Sequence, residues 1–256
     1  MSYRRTQEGI AAPGFFWTPP ERITEDMLVL VGAEARHAAR VCRLHKGELM
    51  TVCDGLGNAF DCEIVRATPR EVAGRIIKVR RRHGEPLAQV TLAVGVGKPQ
   101  TFDWIVEKAV ELGVVRIIPL LAERSLAASP SADAERRRVD RWQRLALGAM
   151  KQSLRSVWPS IDGAMSPREL ARQMTGFEET WLADADGSRL LDIEPELSGR
   201  RSALVIVGPE AGLAPGERQL LLEAGARPVR LGARRLRAET AVVAALTLVM
   251  HHLGEV

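Results

Sequence analysis

From Gln89 onward the chain alternates short, unbroken apolar runs with segments of helical period, and this constrains its fold more than any other feature. "VTLAVGV" (Val90 to Val96) reads as a strand with no polar face. "TFDWIVEKAVELG" places Phe102, Ile105, Val106, Ala109, Val110 and Leu112 at helical spacing and stops at Gly113; "VVRIIPLLA" is a second strand. A long helix is expected over 133–156, then a short one capped by Ser166 with Pro167 as its first residue. Strands "TWLAD" and "ALVIV", a helix from Pro215 to Ala224 stopped by Gly225, strand "PVRL" and a closing apolar helix complete the series. Strands apolar on both faces must be covered on both, so the pattern predicts an α/β fold on a parallel sheet.

The preceding part follows a different rule. "LMTVCDGLGNAFDCEIVRA" sets the turn Asp54–Asn58 between two β-rich pieces, which suggests a small barrel or sandwich. "GAEARHAARVCRLHKGE" suggests a short helix with Arg36, Arg40 and Arg43 on one face. A basic strand and a Gly-Glu-Pro link put the boundary near 83–86, giving domains 1–84 and 85–256. Cys42, Cys53 and Cys62 form no CxxC pair and read as reduced core thiols, so no metal is expected. No signal-length apolar segment follows the first arginines, and the longest apolar run, 240–250, is too short to span a bilayer. A cytoplasmic chain without a membrane partner is therefore expected.

Two glycine turns follow predicted strands: "VGPEAG" after "ALVI" and "LGARRLRAETA" after "PVR". Open α/β sheets bind ligands where strands end and helices begin, so two shaped loops there point to one pocket. The bland alternative is that Gly208, Gly212 and Gly232 solve local turns. A conventional nucleotide-binding oxidoreductase is disfavoured, because GxGxxG is absent and in "GVGKPQT" a phosphate-loop pattern fails at Leu92 and Pro99.

"GPEAGLAPGE" followed by "LGARRLRAETAVVAAL" resembles the carboxyl-terminal signature of the RsmE family of ribosomal RNA small subunit methyltransferases, in the SPOUT superfamily. "KPQTFDWIVEKAVELGVVRIIPLLAERS", "RWQRLALGAMKQSLRS", "HAARVCRLHKGE" and "CDGLGNAFDCEI" resemble the same family in order, over nearly the whole chain. The resemblance implies a PUA-like amino-terminal RNA-binding β-barrel and a SPOUT domain with a carboxyl-terminal trefoil knot. It also implies a homodimer, S-adenosylmethionine as methyl donor, and N3 methylation of one uridine in 16S ribosomal RNA during ribosome biogenesis, acting on assembled small subunits. The sequence departs from the family at Ala211, where a glycine is usual, and at Lys151, where a glutamate commonly precedes Gln-Ser.

By resemblance, Val207, Gly208, Pro209, Glu210 and Gly212 form one wall of the cofactor pocket, and Leu231, Gly232, Leu236, Arg237, Thr240 and Ala241 the other. Glu210 reads more readily as a carboxylate tying down its own loop's amides, and Glu239 as a charge offsetting the last helix's positive end. Arg237, always charged and beside a glycine loop, is the candidate catalytic residue, stabilising a uridine anion or gripping a phosphate. His251 and His252 read as a helix-end pair. On the long helix Arg137, Arg141, Arg144, Lys151 and Arg155 recur at spacings of three, four or seven, a basic stripe opposite Trp142, Ala146 and Ala149. Together with Arg36, Arg40, Arg43 and Arg80 to Arg82 it fits a polyanion, and a pI near 9.3 at a net charge of +4 permits one. The rival is a binding protein that keeps the RNA surface without catalysis.

Overall fold

The computed structural model describes residues 14–125, 131–190 and 202–255. The described residues form two compact units: those up to Glu85 with Met150–Trp158, and Pro86–Ala149 with those from Pro159 onward.

The first unit is a five-stranded curled sheet in the order β1-β3-β4-β5-β2, with β1 (Phe15–Trp17), β2 (Met27–Val31), β3 (Leu49–Cys53), β4 (Asn58–Ala67) and β5 (Glu71–Arg81). The long β4–β5 pair shifts register at Asp61/Cys62 and Ile64/Arg66, and such bulges bend and twist a sheet. The edge strands are tied by Thr18, whose hydroxyl donates to Val29 O at 2.7 Å. Alternate residues Leu28, Leu30, Met50, Val52 and Ile64 point inward with Phe16 and are fully buried. Cys62 lies in this core and Cys42 at its margin, Cys53 is buried next to Val52 on the other face of β3, and all three are free thiols. Segment 150–158 completes the unit: Gly57 N donates to Ser156 O at 3.0 Å, Trp158 N donates to Gly55 O at 2.9 Å, and Trp158 meets Trp17 edge-on at 5.2 Å.

One expectation about basic residues here needs correction. Helix α1 (Gly32–Arg36) continues as a π-helical turn over His37–Val41, and its wider winding breaks the i, i+4 spacing. Arg43 lies beyond it with φ 53°, so the three arginines do not share one helix face, although all are exposed.

The second unit is a six-stranded parallel sheet in the order β11-β9-β10-β6-β7-β8, as its unbroken apolar strands predict. Its strands are β6 (Gln89–Gly95), β7 (Arg116–Leu120), β8 (Ser160–Ile161), β9 (Glu179–Arg189), β10 (Ser202–Val207) and β11 (Arg227–Arg230). On one face Ala93, Ile118, Leu204 and Ile206 pack with Leu170 of α4 (Pro167–Gln173) and Leu221 of α5 (Pro215–Glu223). The alternating residues Leu92, Val94, Ile117 and Val205 turn to the opposite face, where α2 (Pro99–Glu111) and α6 (Ala238–His252) pack side by side. Ser166 caps α4 in a reciprocal capping box with Glu169.

Helix α3 (Ala132–Gln152) ends before the expected Ser156. Leu154 takes φ 61°, and the chain turns Arg155 inward, where its side chain is 2% exposed and paired with Glu85 at 2.7 Å. Glu85 also accepts Ser156 N and Val157 N, both at 2.8 Å. His252 is no surface helix-end group: it is buried, edge-on to Trp181 at 5.3 Å and 3.7 Å from Glu179. Among the described residues no helix is long and apolar enough to cross a membrane.

Candidate active site

Strands β9, β10 and β11 are neighbours, and their carboxyl ends deliver three segments to one place. After β10 the chain turns through Gly208–Gly212, closed by Gly212 N donating to Pro209 O at 2.7 Å; Gly212 has φ 75°, which a side chain would oppose. Ala211, in the usual glycine's place, is not among the positive-φ residues, so its methyl group is tolerated. The loop rests on Gly95 at the end of β6, where an added Cβ would lie 2.3 Å from Pro209 N. After β11, Leu231–Arg237 lead into α6, with Arg237 as the residue before its first turn and Glu239 within that turn.

The third segment is a bulge. Between Pro228 and Val229 of β11 the paired residue on β9 jumps from Leu182 to Ser188, so 183–187 are thrown out of register. Gly187 permits this, since a Cβ there would come within 2.5 Å of the Pro228 carbonyl carbon. The bulge carries Asp184, whose carboxylate accepts from Arg218 Nε at 2.5 Å, and the exposed Asp186. That hydrogen bond, with the charge behind it, holds the Arg218 proton more firmly than usual.

These segments enclose a cavity of about 440 Å³, within the usual range for small-molecule sites. Val207, Gly208, Pro209, Glu210 and Gly212 line it from the first loop, and Leu231, Gly232, Leu236 and Ala241 from the second. Arg237 and Thr240 are exposed at the start of α6 and are not among its lining residues. Sequence reasoning missed Asp184, Asp186 and Arg218; the acidic alternation in "ADADG" at a strand end was the available signal.

The loop is not tied down by Glu210. No hydrogen bond to its carboxylate is found among the described residues, and it is exposed. Arg235 Nη2 donates to Glu210 O at 3.4 Å and Arg124 Nη1 to Ala211 O at 3.5 Å. Just beyond, Glu217 accepts Ala214 N at 2.9 Å and Glu123 N at 2.8 Å, fixing the start of α5.

The basic stripe on α3 is largely neutralised. Arg141 holds Asp103, Lys151 holds Glu34, and Arg155 is buried against Glu85, which leaves it inaccessible to a phosphate. Arg137 and Arg144 remain exposed, as do Arg36, Arg40 and Arg43 of the first unit. Arg80 is engaged by Asp61 at 2.6 Å and by His83, whose own pKa burial and Arg80 push down.

Residues 83–250 match the RNA methyltransferase domain family, and 30–77 the RNA methyltransferase PUA domain. A ribosomal RNA small subunit methyltransferase E of Aquifex aeolicus is 31% identical over 229 residues, spanning 88% of this chain and 95% of its own. The chain belongs to the ribosomal RNA small subunit methyltransferase E family. The Bacillus subtilis member is 29% identical over 228 residues, 87% of this chain and 89% of its own. Among solved structures, that of the Neisseria gonorrhoeae member, described as bound to S-adenosyl methionine, superposes with a TM-score of 0.82 at 28% identity, covering 93% of this chain and 97% of that one. The curled first sheet accordingly belongs to a PUA domain, and the parallel sheet to the methyltransferase domain.

Proposed function

We propose that this protein transfers the methyl group of S-adenosylmethionine to N3 of one uridine in the 16S RNA of the small ribosomal subunit. The observation that carries the reading is the convergence of two glycine loops on one cavity at the carboxyl edge of a parallel sheet. The residues present suit an adenosyl group: apolar walls from Val207, Leu231, Leu236 and Ala241, with bare backbone at Gly208 and Gly212 for recognising the base edge. When bound, S-adenosylmethionine supplies an electrophilic methyl carried on sulfur.

The protein's part is orientation and charge. N3 of uracil is on the pairing edge, so the target base is turned out of its stack before it can enter the cavity. For N3 to act as the nucleophile its proton must pass to solvent water, which leaves negative charge on the ring. Arg237, the residue before the first turn of α6 and without an ion-pair partner among the described residues, stabilises the negative charge on the uracil ring. Asp184 is held by Arg218, which keeps this wall fixed.

On this reading the domains divide at 84/85, the first binding RNA through exposed Arg36, Arg40 and Arg43 and the second adding Arg144. The protein works in the cytoplasm on assembled subunits, as a homodimer with a trefoil knot at its carboxyl terminus. The half-buried Val243, Ala244 and Leu248 on α6 offer the apolar face such a dimer needs. Mass mapping of 16S RNA from a deletion strain, with and without this gene restored, tests the function. One uridine regaining a single methyl at N3 is expected; an unchanged map rejects it.

A further inference from the structure

Among the described residues the arginines fall into two kinds. Arg80, Arg116, Arg141, Arg155 and Arg218 each hold a carboxylate. Arg124, just after β7, and Arg235, just after β11, hold none, and both are exposed. Each instead places one N–H on a backbone carbonyl of the same loop, Arg124 on Ala211 O and Arg235 on Glu210 O, which are successive residues. A guanidinium has five N–H donors, and one long hydrogen bond occupies only one of them. Two positive side chains are thereby anchored to one loop through single long hydrogen bonds. Their remaining donors are available to an anion, and the planar guanidinium fork matches phosphate oxygens.

The position selects among anions. Arg235 lines the cavity and Arg124 lies outside its lining, so the pair straddles the rim. Arg234 lines the cavity beside them, also exposed. A base inserted into the cavity would bring the backbone of its strand over that rim. We propose that Arg124 and Arg235 together bind the RNA phosphate flanking the target base. The assignment rests on the proposed function and adds a phosphate subsite to it, one that binds backbone without reading sequence.

The test compares the full-length wild type with R124A/R235A and R124K/R235K. S-adenosylmethionine binding is measured by calorimetry, and binding of a uridine-centred nine-nucleotide single-stranded RNA by anisotropy across a potassium chloride series. For R124A/R235A the RNA dissociation constant should rise about 30-fold and the log–log salt slope fall by about 0.7, one phosphate's share on a single strand. S-adenosylmethionine affinity is read in parallel, and R124K/R235K, whose ammonium groups can still donate to the Glu210 and Ala211 carbonyls, should hold it within about twofold. On small subunits KM should rise while kcat changes little, since a gripped phosphate contributes equally before and during reaction. The lysine pair, matched in charge but without the fork, should recover the slope and only part of the affinity. RNA affinity and slope unchanged in the alanine variant would overturn the proposal. So would a tenfold loss of S-adenosylmethionine binding with the RNA slope intact, which would assign the pair to the donor's carboxylate. Wild-type protein that binds RNA with the arginine-dependent slope but no S-adenosylmethionine would sink the methyltransferase reading and leave the subsite standing.

Discussion

Gly95→Ala tests the site through a residue that touches no ligand. Gly95 ends β6 and pairs with Leu120 of β7, so the sheet holds its backbone in place. An alanine Cβ there would lie 2.3 Å from Pro209 N and 2.5 Å from Pro209 Cα, whereas ordinary contact begins near 3.4 Å. The atoms in the way are backbone, so no rotamer change relieves the clash. The loop 208–212 must retreat by about 1 Å, a displacement that at a positioned site costs on the order of 100-fold in rate. Overpacking of this size costs about 1–3 kcal/mol of stability, which leaves the protein folded. Calorimetry should show S-adenosylmethionine affinity down at least about tenfold, with an intact circular dichroism spectrum and a cooperative melt lowered by several degrees. Wild-type affinity in a folded Gly95→Ala protein would refute the claim that this loop is a wall of the cofactor site.

Other perturbations have equally definite outcomes. Glu85→Ala leaves Arg155 charged and buried and strips two amides of their acceptor; denaturant unfolding should show a loss of about 3–5 kcal/mol in the first unit. Arg237→Ala should lower kcat by roughly 100-fold or more while leaving the melting temperature unchanged, because the side chain is exposed; unchanged turnover on small subunits would remove Arg237 from the mechanism. Burial pushes the Cys53 and Cys62 thiols up to about 12 from an ordinary 9. The unfolded chain therefore loses these protons first, so their contribution to stability is full below pH 9 and is lost as pH rises towards 12. Urea melts over that range should show it, and replacing both with alanine should flatten the dependence. At pH 8 a thiol reagent should label the half-buried Cys42 and spare the other two in the native protein.

How legible the fold was depended on the range of the interactions involved. The β6–α2–β7 unit, the Ser166–Pro167 start of α4 and both glycine loops follow from period, capping chemistry and turn residues, which act over a few positions. What escaped was set by partners far along the chain. Arg155 has the spacing of an exposed stripe residue, and only the approach of Glu85, seventy positions earlier, makes it an internal anchor. Arg43 left its expected face because a π-helical turn inserts itself at His37–Val41, which no spacing rule anticipates. The bulge at 183–187 puts Asp184 and Asp186 in the pocket wall, yet the sequence shows only a short strand, "TWLAD", and no sign that β11 pairs with its extension out of register. Gly95 likewise looks like any strand glycine before Pro209 is laid against it.

The methyl donor is expected to lodge in the cavity between the two glycine loops. A crystal of this protein grown with S-adenosylmethionine measures that directly. The adenosyl group should lie between the Val207–Leu213 and Leu231–Leu236 segments, with its methyl turned towards the rim that carries Arg235. Density for the compound at any other surface, with this cavity empty, would contradict it.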